Sequence, residues 1–189
     1  MDYSLKHIRI AGTGSAVPAR IVTNQEIIDS GISLKDSWIV ENIGIKKRHI
    51  AVDESTSDLA ARAGLAALEN AGVDPEDLGL LLVATSTPDR KAPSTACLTK
   101  HKMGINNLAP ALDIVAACSG FIYSLAIAAS MIKSGATANA LVIGCDLMSS
   151  VIDWKRRDCV FFGDGAGAVL LTESTYEQSL FEAKLFSDT

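Results

Sequence analysis

Aromatic side chains are scarce in this sequence: Phe, Trp and Tyr together make up 5% of its 189 residues. Ala, Val, Ile and Leu dominate the apolar residues, which account for 48% of the chain. Aliphatic side chains of this kind suit layers of helices packed on a sheet. A chain of this length can bury an ample core, so residues 1–189 are expected to form one globular domain.

Basic residues are also fewer than acidic ones. Lys and Arg number 17 against 22 Asp and Glu, which gives a net charge of −5. Binding of nucleic acid through broad phosphate contacts needs a basic face, so this class of function is disfavoured. No apolar run reaches the length of a membrane helix, and residues 1–7 lack the apolar core of a signal peptide. We expect a cytoplasmic protein with no nucleic-acid or membrane partner.

Paired cysteines are missing as well. The four cysteines are Cys97, Cys118, Cys145 and Cys159, and none forms a Cys-x-x-Cys pair. This spacing disfavours both a zinc site and a disulfide framework. We therefore expect reduced thiols and no bound metal.

Apolar runs alternate with helical patterns along the chain. Strands are predicted over 5–11, 78–84, 110–117, 138–145 and 168–172. The run over 78–84 is almost continuously apolar, as in a parallel strand that is buried on both faces. The clearest amphipathic helix spans 59–71, with Leu65 and Leu68 on its buried face. The alternation predicts an α/β fold with a mainly parallel, five-stranded sheet.

Three other segments resemble binding motifs, but the residues around them argue against that function. A dinucleotide fingerprint at 12–18 would need Gly or Ala at position 17 and an immediate helix, but Val17 and Pro18 follow. The glycine-rich run 163–167 leads into a strand, so we expect close backbone approach there rather than a phosphate cradle. The basic run 46–49 is expected to be a solvated edge strand.

The predicted strand 110–117 leads directly to Cys118. A helical pattern follows over 121–133 and ends before Gly135. Cys118 is thereby placed at a helix N-terminus, where unpaired N–H groups and the helix dipole favour a thiolate. The small residues around it leave room for a substrate carbonyl, and its own N–H can stabilise an oxyanion. Position alone fits a nucleophile and a buried core cysteine equally well.

Seven motifs in order resemble the N-terminal half of the β-ketoacyl-acyl-carrier-protein synthase III family, in the thiolase-like superfamily. They are GTGSAVP (12–18), WIV (38–40), GIKKR (44–48), VAT (83–85), PSTAC (93–97), DIVAACSG (113–120) and FGDGAG (162–167). The resemblance implies a thiolase-like half with α/β/α layers and identifies Cys118 as the nucleophile. Cys118 would take an acyl group from acyl-coenzyme A, which then condenses with decarboxylating malonyl-acyl carrier protein in fatty acid biosynthesis.

The resemblance also implies how coenzyme A is held. Trp38 matches the tryptophan that stacks on the adenine, and Arg156 matches the arginine on the opposite side of that base. Taken without the family, Trp38 would be an amphipathic surface anchor and Arg156 a solvated loop charge. The implied partners are acyl-coenzyme A as substrate, acyl carrier protein and a second copy in a homodimer, with no further cofactor.

This chain departs from the family in three respects. Asn42 stands where an arginine commonly meets the phosphates of coenzyme A, and Arg157 replaces a glycine. Lys91 and Ala92 stand where a bulky residue usually closes the acyl pocket across the dimer. The departures leave open a donor that arrives on a carrier protein, a different acyl group, and an acyltransferase of secondary metabolism.

The catalytic His and Asn of the family come from the later half of its fold, which is expected to be absent from this chain. His7, His49 and His101 do not occupy the family's histidine motif and are expected to be structural. Decarboxylative condensation needs groups that stabilise an enolate. The chain alone is therefore expected to be inactive in condensation and to need the second half of the family fold as a partner. The alternative is a catalytically incomplete half with a purely structural role.

Overall fold

The computed structural model describes residues 3–4, 7–174 and 182–186. Its strands are β1 (Tyr3–Ser4), β2 (Ile8–Ala16), β3 (Ile21–Thr23), β4 (Lys47–His49), β5 (Leu81–Ala84), β6 (Ala111–Ile114), β7 (Asn139–Leu147), β8 (Asp164–Glu173) and β9 (Glu182–Ala183). Its α-helices are α1 (Asn24–Asp29), α2 (Asp36–Ile43), α3 (Thr56–Ala71), α4 (Thr95–Lys102) and α5 (Gly120–Lys133).

The main sheet has five strands in the order β2-β8-β7-β5-β6. Strand β5 pairs in parallel with β6 and β7, whereas β8 is antiparallel to both of its neighbours, β7 and β2. Only β8 therefore opposes the other strands, and the predicted, mainly parallel, five-stranded sheet is confirmed. Two short antiparallel pairs, β1 with β9 and β3 with β4, lie outside this sheet.

The sheet is covered by helices on both faces, as the α/β/α prediction requires. Leu81 and Val83 of β5 pack in one apolar cluster with α3 and α4. Leu80 and Leu82 pack in a second cluster with α5. Successive side chains of a strand point to opposite faces, so these two clusters lie on the two sides of the sheet.

Strand β2 is longer than the sequence pattern indicates. Positions 5 and 6 of the predicted strand 5–11 lie outside the described residues, and the strand continues through the glycine-containing run to Ala16. A methyl group at Gly14 would collide with the carbonyl oxygen of Ala63, and one at Gly12 with that of Ala67. The two glycines thus let α3 rest directly on the backbone of β2.

The expectation of a solvated basic strand is wrong at Arg48. Only Lys47–His49 is a strand, and Arg48 at its centre is buried. Its guanidinium donates to the Asn24 side-chain oxygen at 2.7 Å and to the Val160 carbonyl at 3.2 Å. Val22 of β3 belongs to a third apolar cluster, which also includes Ile39 and Val160.

Within the described part of the chain, no helix has the length and apolar character needed to cross a bilayer. The same residues contain no group of three or more potential metal-ligating side chains.

Candidate functional site

The backbone around Cys118 presents its side chain at the surface. Strand β6 ends at Ile114, a single 3-10 turn spans Ala117–Ser119, and α5 starts at Gly120. Ala117 has a φ of 45°, in the left-handed region, so the chain turns sharply just before the cysteine. Cys118 is exposed and stands at the start of the helix, where the sequence pattern places it.

Cys118 opens into a cavity of about 280 Å³. Its lining residues are mostly small: Ala84, Ala117, Cys118, Phe121, Gly144, Cys145, Asp146, Gly163 and Gly165. Gly163 lies tightly against Arg48, since an added methyl group would be 3.0 Å from that side chain's Cβ. The glycine-rich run 163–167 thus approaches the backbone of β4 closely at Gly163, and Gly163 and Gly165 line the cavity of Cys118.

A carboxylate forms part of the cavity wall. Asp146 accepts a hydrogen bond from the backbone N–H of Ser86 at 2.7 Å. The hydroxyl groups of Thr85 and Thr87 donate to the same oxygen, each at 3.2 Å. Sequence reasoning missed this residue. Its only signal is a charged side chain at the end of a buried strand, where sites of parallel sheets often lie.

A second carboxylate, Asp164, supports the glycine-rich run. It accepts the N–H of Ala51 at 2.7 Å and the N–H and hydroxyl groups of Ser149 at 2.8 and 2.6 Å. Asp164 is itself buried, so these bonds satisfy an otherwise costly charge. The bonds fix the position of Gly163 and Gly165 beside Cys118.

The other thiol of the cavity is not suited to nucleophilic attack. Cys145 is buried, and its thiol donates to the carbonyl of Thr56 at 3.3 Å. Burial and the nearby charges of Asp146 and Asp89 raise the pKa of this thiol far above its ordinary value. Cys145 stays protonated, which leaves Cys118 as the accessible thiol of the cavity.

Trp38 and Arg156 lie outside the cavity of Cys118. Trp38 is on α2 with 42% of its surface exposed, and the side chain of Asn42 donates to its backbone carbonyl at 2.9 Å. The guanidinium of Arg156 forms an exposed ion pair with Asp158 at 2.9 Å. Ile43 of α2 and Trp154 both pack on the third apolar cluster.

A larger cavity, of about 480 Å³, contains no thiol. Its apolar wall includes Ile50 and Trp154, and its acidic groups already have partners. Glu26 accepts the backbone N–H of Thr23 at 2.8 Å, and Glu54 pairs with Arg62 at 2.6 Å. Without a nucleophile or an acid–base pair, this cavity is a weaker candidate than the one at Cys118.

None of the three histidines lines the cavity of Cys118. His49 lies with its Nδ1 2.6 Å from the Pro18 carbonyl oxygen, to which the protonated nitrogen donates. His7 and His101 are exposed. No histidine of the described residues is therefore placed to act as a base for Cys118.

Comparison with known proteins decides the family. The sequence profile of 3-oxoacyl-[acyl-carrier-protein] synthase III matches residues 112–189. The β-ketoacyl-[acyl-carrier-protein] synthase III of Ehrlichia canis is 49% identical over 187 residues, which are 97% of this chain and 58% of that protein. The chain belongs to the β-ketoacyl-acyl-carrier-protein synthase III family.

Solved structures that are similar to this chain have the same fold. The 3-oxoacyl-[acyl-carrier-protein] synthase III of Aquifex aeolicus superposes with a TM-score of 0.85 at 45% identity, covering 89% of this chain and 55% of that one. The priming β-ketosynthase of the R1128 polyketide pathway has a TM-score of 0.85 at 38% identity, covering 90% of this chain and 51% of that one. The chain thus spans little more than half the length of these synthases.

The structure brings together only some of the site residues that the resemblance to synthase III predicts. The structure brings Cys118 together with Gly163 and Gly165 of the glycine-rich run, whereas neither Trp38 nor Arg156 lines that cavity. The roles of these three residues stay predictions.

Proposed function

We propose that the protein carries out the acyl-transfer step of a 3-oxoacyl-acyl-carrier-protein synthase III in fatty acid biosynthesis, in the cytoplasm. The observation that carries the proposal is the exposed thiol of Cys118 at the start of α5, in a cavity of small residues that is large enough for a short acyl group. Membership of the family supports the same chemistry.

In the proposed step, the thiolate of Cys118 attacks the carbonyl carbon of an acyl-coenzyme A. A bond forms between Sγ and that carbon, the bond to the sulfur of coenzyme A breaks, and free coenzyme A leaves with a proton. The N–H groups at the start of α5 stabilise the intermediate oxyanion, because helix-start N–H groups lack partners within the helix.

Coenzyme A is proposed to lie across the surface that holds Trp38 and Arg156. An exposed indole offers a flat apolar face for the adenine, and the guanidinium of Arg156 stacks on the opposite side. Asn42 carries no charge and donates to the backbone of its own helix. Arg157, which is exposed, supplies the additional positive charge on this surface.

Condensation with malonyl-acyl carrier protein is proposed to require a second half of the family fold, which contributes the catalytic His and Asn. The outer side of α5 supports such a partner, because a cavity of about 320 Å³ there is lined by Ile127, Met131 and Leu185. A homodimer is proposed through β6, since this edge strand leaves Leu112 39% exposed and is followed by Val115, 76% exposed.

The acyl-transfer step is tested by intact mass spectrometry after incubation with acetyl-coenzyme A. We expect one acyl group on the wild type, located on Cys118 by peptide mapping, and none on Cys118→Ala. Cys97→Ala is the matched control, because Cys97 is also exposed, and it should be acylated like the wild type. Equal acylation of Cys118→Ala, or no acylation of any variant, would contradict the proposal.

A second candidate function is acyl transfer in secondary metabolism. It is supported by the exposed Lys91 and Ala92, which replace the usual bulky residue, and by the likeness to a polyketide priming enzyme. Acylation rates with acetyl-coenzyme A and with longer acyl donors separate the two functions. Preference for acetyl-coenzyme A removes the second candidate. If Cys118 reacts with neither donors nor alkylating reagents near neutral pH, the chain is instead an inert structural half.

A further inference from the structure

Phe121 is the one large side chain among the described residues that line the cavity of Cys118. The other lining residues are Gly, Ala, Cys and Asp, none of which reaches far from the backbone. Phe121 directly follows the motif 113–120, and no motif assigns it a role. The space available beside the nucleophile therefore depends largely on the position of one aromatic ring.

Cys118 and Phe121 are close neighbours on the same side of the helix start. They are three residues apart, and the two residues between them have helical backbone angles, with φ of −83° at Ser119 and −56° at Gly120. Helical residues three apart lie one above the other, with about 5–6 Å between their Cβ atoms. An acyl group on the thiol of Cys118 is therefore within reach of the ring of Phe121.

The ring of Phe121 lies against the backbone of β7. A methyl group added to Gly144 would be 3.2 Å from Cδ2 of Phe121 and 3.7 Å from its Cβ and Cγ. The sheet therefore leaves the ring no free space on that side. Helix α5 is equally close to β5, because a methyl group at Gly120 would be 3.3 Å from Cβ of Ala84. The start of α5, and with it the position of Phe121, is thus fixed against both strands.

Phe121 also packs against the second apolar cluster, the one between the sheet and α5. The residue is half-buried, so turning its ring outward would expose apolar surface that is now covered. Each of these contacts favours the observed position. The ring is therefore a fixed part of the cavity wall.

We propose that Phe121 is a specificity-determining residue that limits the length of the acyl group on Cys118. The cavity volume of about 280 Å³ lies at the lower end for ligand pockets, which span about 300–1,000 Å³. An acetyl group fits beside the ring, whereas a hexanoyl chain that extends into the cavity collides with it. The limit comes from the same chain as the nucleophile. This inference rests on the acyl-transfer function proposed above, but its first test does not.

The first test compares two neutral alkylating reagents of different size, iodoacetamide and the larger N-phenyliodoacetamide. Both transfer a CH₂ carbon to the same thiolate and release iodide, so the ratio of their rates does not depend on how much thiolate is present. Phe121→Leu should raise the rate of the larger reagent at Cys118, relative to the smaller one, by at least about fivefold. The ratio at the exposed Cys97, read by peptide mapping in the same sample, should stay unchanged.

Two further variants keep the test decisive if Phe121→Leu loosens the start of α5. Phe121→Trp fills more of the cavity and should lower the same ratio at Cys118 by at least about threefold. Tyr123→Leu is the matched control, because Tyr123 is a half-buried aromatic residue of the same helix that does not line the cavity. It should retain the wild-type ratio. An unchanged ratio in Phe121→Leu, or an equal rise in Phe121→Trp or Tyr123→Leu, would overturn the proposal.

The second test uses acetyl- and hexanoyl-coenzyme A with the same variants. Both donors carry the same coenzyme A, so the ratio of their acylation rates reports the acyl group alone. We expect Phe121→Leu to raise hexanoyl relative to acetyl loading at Cys118 by at least about fivefold. Failure of both donors on every variant would refute the proposed function, while the alkylation ratio still decides on Phe121. Acetyl loading with an unchanged ratio in Phe121→Leu would refute only the role of Phe121.

Discussion

Asp113 and Ala96 are joined by a hydrogen bond of 2.7 Å from the backbone N–H of Ala96 to the Asp113 carboxylate. The second carboxylate oxygen accepts the N–H of Thr95, also at 2.7 Å. Asp113 lies on β6, the strand that leads to Cys118, while Thr95 and Ala96 open α4. One carboxylate therefore satisfies two N–H groups at the positive end of α4 and fastens this helix to the strand of the nucleophile.

Asp113→Asn should lower the free energy of unfolding by about 1–2 kcal/mol, because an amide has one acceptor oxygen for two buried donors and carries no charge. Urea unfolding followed by circular dichroism measures the change. Asp53→Asn is the control, since Asp53 is exposed, and it should stay within about 0.5 kcal/mol of the wild type. Equal stabilities for the two variants would show that the α4 contact contributes nothing.

Ala117→Val should both destabilise the fold and slow alkylation of Cys118. A β-branched residue at the φ of 45° that Ala117 adopts is strained by about 1–3 kcal/mol, and its extra methyl groups enter the cavity. Glycine adopts this conformation freely, so Ala117→Gly should remain within about 1 kcal/mol of the wild type. Melting temperatures and iodoacetamide rates of the two variants test this. Similar effects of valine and glycine would exclude the backbone explanation.

Arg48→Met should destabilise the fold by about 3 kcal/mol, because it leaves the Asn24 side chain and the Val160 carbonyl buried without their donor. Lys47→Met, at the adjacent exposed position, is the matched control and should change stability by less than about 0.5 kcal/mol. Chemical unfolding of both variants provides the comparison. A cost at Lys47 equal to that at Arg48 would contradict the burial argument.

Asp58 should contribute a pH-dependent share of stability. Burial raises its pKa, but hydrogen bonds from Lys102 and Ser55 outweigh this and lower the pKa from 3.8 to about 2. Folding thus favours the charged carboxylate. Its contribution to the free energy of unfolding is complete above pH 3.8, the ordinary pKa, and is lost as the pH falls through about 2. The Lys102 pair is partly exposed, so the contribution should be modest and should weaken with salt.

The measurement is the free energy of unfolding across that pH interval for the wild type and for Asp58→Asn. The difference between them should vanish toward the acidic end, whereas Asp53→Asn should retain the wild-type slope. A difference that stays constant with pH would exclude titration of Asp58 as its source.

Several parts of the fold were predictable because they depend on local pattern. The apolar runs identify the interior strands, and Thr23 caps α1 through reciprocal bonds with Glu26, in the Thr-x-x-Glu pattern that is typical of a helix start. The prediction from hydrophobic periodicity that Leu65 is buried is wrong, since this residue is 37% exposed. Helix α3 instead turns its Ala and Gly residues toward the sheet, because the close approach to Gly12 and Gly14 leaves no room for larger side chains.

The site was predictable only in part, for a physical reason. The position of Cys118 follows from a strand and a helix that are adjacent in sequence. Asp146, in contrast, reaches the cavity because β7 lies beside β5, and strand order is not encoded in any local pattern. The burial of Arg48 likewise depends on pairing with β3, a strand of three residues whose signal is too short to recognise.

Strand β8 has a consequence for how the protein is made. It lies between β2 and β7, so Ile8, near the beginning of the chain, faces Glu173, near its end. A ribosome synthesising this polypeptide releases β2 long before its partner exists. Strand β2 therefore stays unpaired, with its amide and carbonyl groups bonded to water or to a chaperone, until β8 has been synthesised and the sheet can form.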